Sequence, residues 1–325
     1  MTPPANFEFV PLPGAAPAGR AQVDAAGWRA ACERVAADNG RLIALWGSDA
    51  GGARAVHAAL AAAGGLLWIS LPGAEYPDVS DLFPAANRMQ RAAYDLVGVI
   101  AGRADDRRPW LRHGAWPAEA HPLRKSFDAA AVYNNAGDDY PFVQVAGDGV
   151  HEIAVGPVHA GTIEPGHFRF SMIGERVLRL EERLGYKHKG IEKRFEELGL
   201  MDGARLAARV SGDSTVAYAW AYAMAVESAC GLQASPRAAW LRALCLERER
   251  IANHLGDLGF LGNDAGLAFG LAQFSRLKED VLRANLAMFG HRYLMDVIVP
   301  GGVARDISAE DLARVSRECD TLEAE

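Results

Sequence analysis

The sequence predicts an α+β protein in two parts: a small α+β N-terminal domain, then a β-hairpin platform leading into a mainly helical bundle. Three observations predict it. Residues 27–97 alternate between helical and extended patterns, residues 141–184 carry two hairpin signals, and beyond Lys189 the apolar spacing is helical. A chain of 325 residues also favours two domains, because one core rarely serves that length.

Residues 1–20, MTPPANFEFVPLPGAAPAGR, have neither a basic n-region nor an apolar h-region, so they read as a flexible N-terminus and not as a signal peptide. Residues 21–130 form the first domain. Trp28, Cys32 and Val35 recur at helical spacing within 27–39, closed by Gly40. RLIALW (41–46) predicts a strand, the alanine-rich 52–63 a helix ended by Gly64-Gly65, and LLWISL (66–71) a second strand. Residues 79–97 are partly helical, and 101–127, rich in Arg, Trp, Pro and His, are irregular. AVYNNAGDDYP (131–141) is the linker, and 142–325 the second domain. There PFVQVA and HEIAVG flank Gly-Asp-Gly as one hairpin, and HFRFSMI and RVLRLEERL flank Gly174-Glu175 as another. Ser235-Pro236 is an N-cap with proline at the first helical position. It opens a stripe of Leu241, Leu244, Cys245, Ile251, Leu255 and Leu258.

Composition limits the function. With 50% hydrophobic residues the chain is not wholly disordered, and a net charge of −7 argues against a nucleic-acid partner. Cys32, Cys230, Cys245 and Cys319 form no C-x-x-C pair and no disulfide framework, which points to a reducing compartment. The longest uncharged apolar stretch, Ser214 to Val226, is shorter than the roughly 20 residues a spanning helix needs. Membrane association therefore has to come through a partner.

Four segments are candidates for chemistry. GSDAGGARA (47–55) lies where a phosphate loop would, between a strand and the expected helix, but matches neither nucleotide fingerprint; Ser48 or Asp49 as a cap explains it equally well. SGDST (211–215) puts Ser214 beside Asp213, and an N-cap is the simpler reading than a nucleophile without a base. GPVHAGTIEPGHFRF (156–170) places His159, Glu164, His167 and Arg169 on a turn broken by glycine and proline, either a shaped functional loop or a solvated one. His254 shares a helical stripe with Glu247 and Arg250, the usual setting of a core-edge histidine.

Two sets of blocks carry a family likeness. YPDVSDLFPAANRMQRAAYDLVGV (76–99) and HPLRK (121–125) resemble the C subunit of respiratory complex I. GPVHAGTIEPGHFRF, HKGIEKRFE (188–196), ARVSGDSTVAYAWAYAMAVESACG (208–231), SPRAAWLRALCLERERIANHLGDLG (235–259) and PGGVARDI (300–307) resemble its D subunit. The Glu-Pro-Gly-His-Phe wording is most similar to the fused C–D large subunits of group 4 membrane-bound hydrogenases, such as formate hydrogenlyase and hydrogenase-4.

The resemblance implies a subunit of a membrane-associated complex I-like or hydrogenase-like oxidoreductase, with chemistry shared among subunits. Nickel–iron members read R-V-C-G-I-C-G where this chain has RVSGDST, so Ser211 and Ser214 stand at the thiolate positions. A hard, neutral hydroxyl does not replace a soft thiolate at nickel or iron. The family's second ligand pair lies in a later segment that this sequence does not contain, so no metal ligand is expected. Ile163 and Gly212 stand where the quinone-binding members carry a histidine and a tyrosine, which puts quinone in doubt. Glu164 matches a proton-relaying glutamate, and Asp264 an acid that supports the quinone histidine. Arg209 and His254 match residues flanking the iron–sulfur cluster of the small partner subunit; an interface salt-bridge network is the alternative. The chain is thus expected to bind no cofactor alone. Its expected neighbours are a small iron–sulfur subunit and, indirectly, membrane subunits on the cytoplasmic face of the cell membrane. NADH chemistry would belong to other subunits.

Overall fold

The computed structural model describes residues 9–14, 17–134, 137, 139–160 and 163–325, with the backbone alone for 158–160 and 163. Two compact units divide between Lys193 and Arg194.

The first unit is built on β1 (Val10–Leu12), β2 (Ala18–Gln22), β3 (Arg41–Ala50), β4 (Ala53–Ala62) and β5 (Gly65–Pro72), in the order β1-β2-β5-β4-β3. Only β2 and β5 pair in parallel; the other neighbours are antiparallel. Helix α1 (Ala25–Ala37) starts where the Asp24 carboxylate accepts a hydrogen bond from the Gly27 N–H at 2.8 Å. It buries Trp28, Ala31, Cys32 and Val35, which is the face the sequence marks. Short parallel strands β6 (Glu75–Pro77) and β7 (Ile100–Gly102) flank α2 (Ala86–Val97), which stops at the left-handed Gly98.

The alanine-rich segment 52–63 is a strand, not the expected helix. Val56, Ala58 and Leu60 alternate into the core, and β4 is hydrogen-bonded on both edges. Alanine favours helix only locally, and the two-sided ladder outweighs that preference. No helix opens at 47–55, so the phosphate-loop reading falls as well. The segment is a hairpin turn through Gly51 and Gly52, at φ +66° and +96°, with the Gly52 N–H donating to Asp49 Oδ1 at 2.6 Å.

A three-stranded antiparallel sheet, β8 (Val150–Ala160), β9 (Ile163–Ile173) and β10 (Arg176–Arg183), follows in the same unit. The hairpin expected around Gly174-Glu175 is present as β9–β10. The one expected between 141–146 and 151–156 is not, because β8 pairs with β9. Residues 140–143 give their backbone groups to other partners: Pro141 C=O accepts from Arg108 at 3.0 Å, and Val143 N–H donates to Glu181 at 2.8 Å. Tyr140, at the end of the expected linker, belongs to the first unit, where it is buried and the Arg183 guanidinium sits 4.3 Å from its ring centroid.

Helix α3 (Ile191–Phe195) straddles the division. The second unit contains α4 (Leu200–Ala207), α5 (Thr215–Cys230), α6 (Pro236–Asp264), α7 (Ala268–Phe289) and α8 (Ala309–Ala324). A small hairpin, β11 (Ile298–Val299) with β12 (Gly302–Val303), interrupts the helices. Ser235 caps α6 as expected, accepting from Ala238 N–H at 3.3 Å. Leu241, Cys245 and Leu255 of the expected stripe are buried, whereas Leu258 is exposed. Leu241 and Cys245 share a core with Val216, Ala219 and Ala223 of α5 and Met288 and Phe289 of α7, whereas Leu255 packs in a second cluster with Leu277, Val281 and Leu282 of α7. Among the described residues no helix is long and apolar enough to cross a membrane.

Candidate functional site

The segment joining α4 to α5 holds Arg209 and the Ser211–Thr215 turn. Arg209 is partly exposed and makes a two-pronged pair with Asp296: Nη1 donates to Oδ1 and Nη2 to Oδ2, each at 2.7 Å. Nη1 also donates to the Arg205 carbonyl at 2.8 Å. This bonding raises the pKa of Arg209 and holds the Asp296 carboxyl below the usual carboxylate range.

Beyond Arg209 the turn is tied to α6. Ser211 Oγ donates to the Asp213 carboxylate, and Ser214 Oγ approaches the same oxygen at 3.4 Å. Asn253 Nδ2 donates to the Asp213 carbonyl at 2.5 Å. Ser214 occupies the N-cap position of α5 but makes no capping bond. Glu249 of α6 caps instead, accepting from the Val216 and Ala217 N–H groups at 2.5 and 3.2 Å. Burial pushes the Glu249 carboxyl upward, with nearby Asp213 adding to it, and these outweigh the two backbone donors. Glu249 and Asn253 are four apart on one helix face, a spacing visible in the sequence, but their target is not.

The other candidates belong to other elements. His254 is exposed on α6 and lines an apolar groove of about 900 Å³ with Leu258, Leu267, Phe269 and Phe274. Asp264 is the last residue of α6, exposed, and about 15 Å further along the helix axis. Glu164 belongs to the first unit, on β9, 61% exposed and 3.5 Å from Lys189 Nζ. His159 lies outside the residues whose side chains are described. His167 Nδ1 is 3.1 Å from the Gly156 carbonyl, and Arg169 lies over Phe142 at 4.2 Å.

Residues 21–133 match the family described as "Respiratory-chain NADH dehydrogenase, 30 Kd subunit". Formate hydrogenlyase subunit 5 of Escherichia coli is 33% identical over 243 residues, spanning 73% of this chain and 43% of that protein. The chain belongs to the C–D large-subunit family of complex I and group 4 hydrogenases. Hydrogenase-4 component G of Escherichia coli is 34% identical, with 73% of this chain and 43% of that protein covered. The fused C/D subunit of NADH-quinone oxidoreductase from Bacteroides fragilis is 28% identical, with 75% and 49% covered. Among solved structures, the membrane-bound sulfane sulfur reductase, an archaeal respiratory membrane complex, matches with a TM-score of 0.50 and 26% identity. That likeness covers 54% of this chain and 47% of the other. The chain spans less than half the length of the curated relatives named here.

The family's nickel–iron centre does not fit the residues present. The hydroxyls of Ser211 and Ser214 face the Asp213 carboxylate, and neither is a soft donor. Cys245 is buried in the α5–α6–α7 core, where desolvation pushes its thiol up to about 12, far from the thiolate a metal needs. Among the described residues no three His, Cys, Asp or Glu side chains are grouped to hold a metal ion. Glu164, expected at a proton-relaying position, and Arg209 and His254, expected at cluster-flanking positions, fall in different compact units. Asp296 and Glu249, which fix Arg209 and the following turn, are absent from any motif reading.

Proposed function

We propose that the chain is a subunit of a membrane-associated complex I-like or hydrogenase-like oxidoreductase, supporting electron and proton transfer beside a partner's iron–sulfur cluster without a nickel–iron centre of its own. The observation that carries the reading is the 209–215 segment. It keeps the family's arginine, replaces both thiolates with Ser211 and Ser214, and is fastened by Glu249 and Asn253. The iron–sulfur cluster belongs to a small partner subunit, and attachment to the membrane is peripheral, through further subunits. Arg209 and His254 supply a cation and a hydrogen-bonding ring toward that cluster, which favours its reduced form. Glu164 is the proton-carrying carboxylate, and Asp264 an acidic side chain left without the quinone histidine it would support.

Metal analysis of the chain purified with its small partner tests the absence of a nickel centre. Iron in cluster stoichiometry without nickel is expected; stoichiometric nickel would refute the reading of Ser211 and Ser214. His254→Met tests the redox role. The partner cluster's midpoint potential should lose pH dependence, falling from a slope of up to about 59 mV per pH unit for a one-electron couple. An unchanged slope would leave a second reading standing, a non-catalytic subunit that keeps the family's docking surfaces. That reading draws support from the four altered positions, Ile163, Ser211, Gly212 and Ser214.

A further inference from the structure

We propose that Asp296 is a positioning residue that orients Arg209 and masks part of its charge, and so sets how strongly Arg209 acts on the partner's cluster. This rests on the reading that Arg209 faces that cluster. Asp296 lies 87 residues from Arg209, yet its two carboxylate oxygens meet the two Nη groups end-on, at 2.7 Å each. A two-pronged pair fixes the guanidinium plane as well as its position.

Asp296 is the anchored member of the pair. Its backbone is left-handed, with φ +62°, between Met295 and a buried Val297. Leu294, two residues earlier, is also left-handed and buried. The loop is braced from α7: Asn285 Nδ2 donates to the Arg292 carbonyl at 3.0 Å, and Arg292 forms a two-pronged pair with Glu279 at 2.8 and 2.6 Å. His291 Nδ1 lies within hydrogen-bond distance of the Tyr293 and Met295 N–H groups. Arg209, by contrast, is a long side chain beyond the end of α4, attached to this loop through Asp296.

The pair's exposure argues against a role in stability. Its side chains are 44% and 39% exposed, and ion pairs so placed contribute little to folding. What the pair does instead is local: a carboxylate at hydrogen-bond distance offsets most of the guanidinium's field and holds its Nη edge toward Asp296. Removing the carboxylate unmasks the full positive charge and leaves the guanidinium held by the Arg205 carbonyl.

The test uses the chain in complex with its iron–sulfur subunit, with redox titration of the cluster followed by electron paramagnetic resonance. Asp296→Asn should shift the midpoint potential upward, Arg209→Met should shift it downward, and Asp296→Glu should bring it back toward wild type. The thermal transition should stay within a few degrees of wild type in all three, which separates positioning from a structural role. If Arg209→Met moves the potential but Asp296→Asn does not, the positioning role is overturned and the site reading survives. If Arg209→Met leaves the potential unchanged, Arg209 does not act on the cluster, and both fall.

Discussion

Replacing Glu227 by Ala is expected to destabilise the helical unit by about 3–5 kcal/mol, because it leaves a buried guanidinium without its counter-charge. Arg242 is 2% exposed and donates to Glu227 through Nη1 at 3.1 Å and Nη2 at 2.6 Å. Glu227 also accepts from the Gly301 N–H at 2.7 Å, while Arg242 reaches the Val299 and Gly302 carbonyls at 2.8 and 3.1 Å. One ion pair therefore joins α5, α6 and the β11–β12 hairpin. Burial alone would push the Glu227 carboxyl up, but Arg242 and the Gly301 N–H more than offset it and hold it low. Glu227→Gln should cost less, since the amide oxygen still accepts one bond. The double variant Glu227→Leu with Arg242→Leu should cost less than Glu227→Ala alone, because no unpaired charge remains. Denaturant unfolding, with amide exchange in α5 to localise the loss, checks the order. Equal costs for Glu227→Ala and the double variant would mean that the buried charge is not the penalty.

That pair shows where the sequence stops being legible. The Ser235-Pro236 cap and the Gly174 hairpin could be read because each depends on neighbours within a few residues. The α+β class could be read for the same reason. Segment 53–62 could not: alanine's local helix preference was overruled by strands that pair on both its sides, and that competition is non-local. Residues 141–146 have the composition of a strand, but side chains of Arg108 and Glu181 claim the backbone groups a strand partner would use. The same limit applies at the site. Motif reading found Arg209 and both serines, because family blocks are contiguous. It missed Asp296 and Glu249, whose partners lie 87 and about 33 residues away and whose roles arise only when α6 and the α7–β11 loop are folded against the 209–217 segment.

These two missed residues alter how the missing thiolates are understood. In a metal-bearing relative the ion itself would help to fix the turn. Here the Asp213 carboxylate takes the serine hydroxyls, Asn253 holds its carbonyl, and Glu249 supplies the charge at the start of α5. Protein groups alone therefore hold the turn in this chain.

Trp28→Ala should be the most damaging change in the first unit, at about 3–5 kcal/mol, by the removal of a large side chain from a closed core. Trp28 is fully buried on α1 and meets the Tyr76 ring edge-on, with centroids 5.6 Å apart. It sits on α1, which closes over β4, β5 and β6, so the cavity would open at that contact. The indole N–H and the Tyr76 hydroxyl are both buried without a hydrogen-bond partner among the described residues. This fixes the contrast with gentler variants. Trp28→Phe keeps most of the packing and removes an unsatisfied donor, so it should cost well under half as much. Tyr76→Phe removes only the hydroxyl and should be neutral or stabilising. Thermal unfolding of the three variants decides the matter. A loss on Tyr76→Phe comparable to that on Trp28→Ala would show that the polar atoms, and not the packed volume, hold α1 on the sheet.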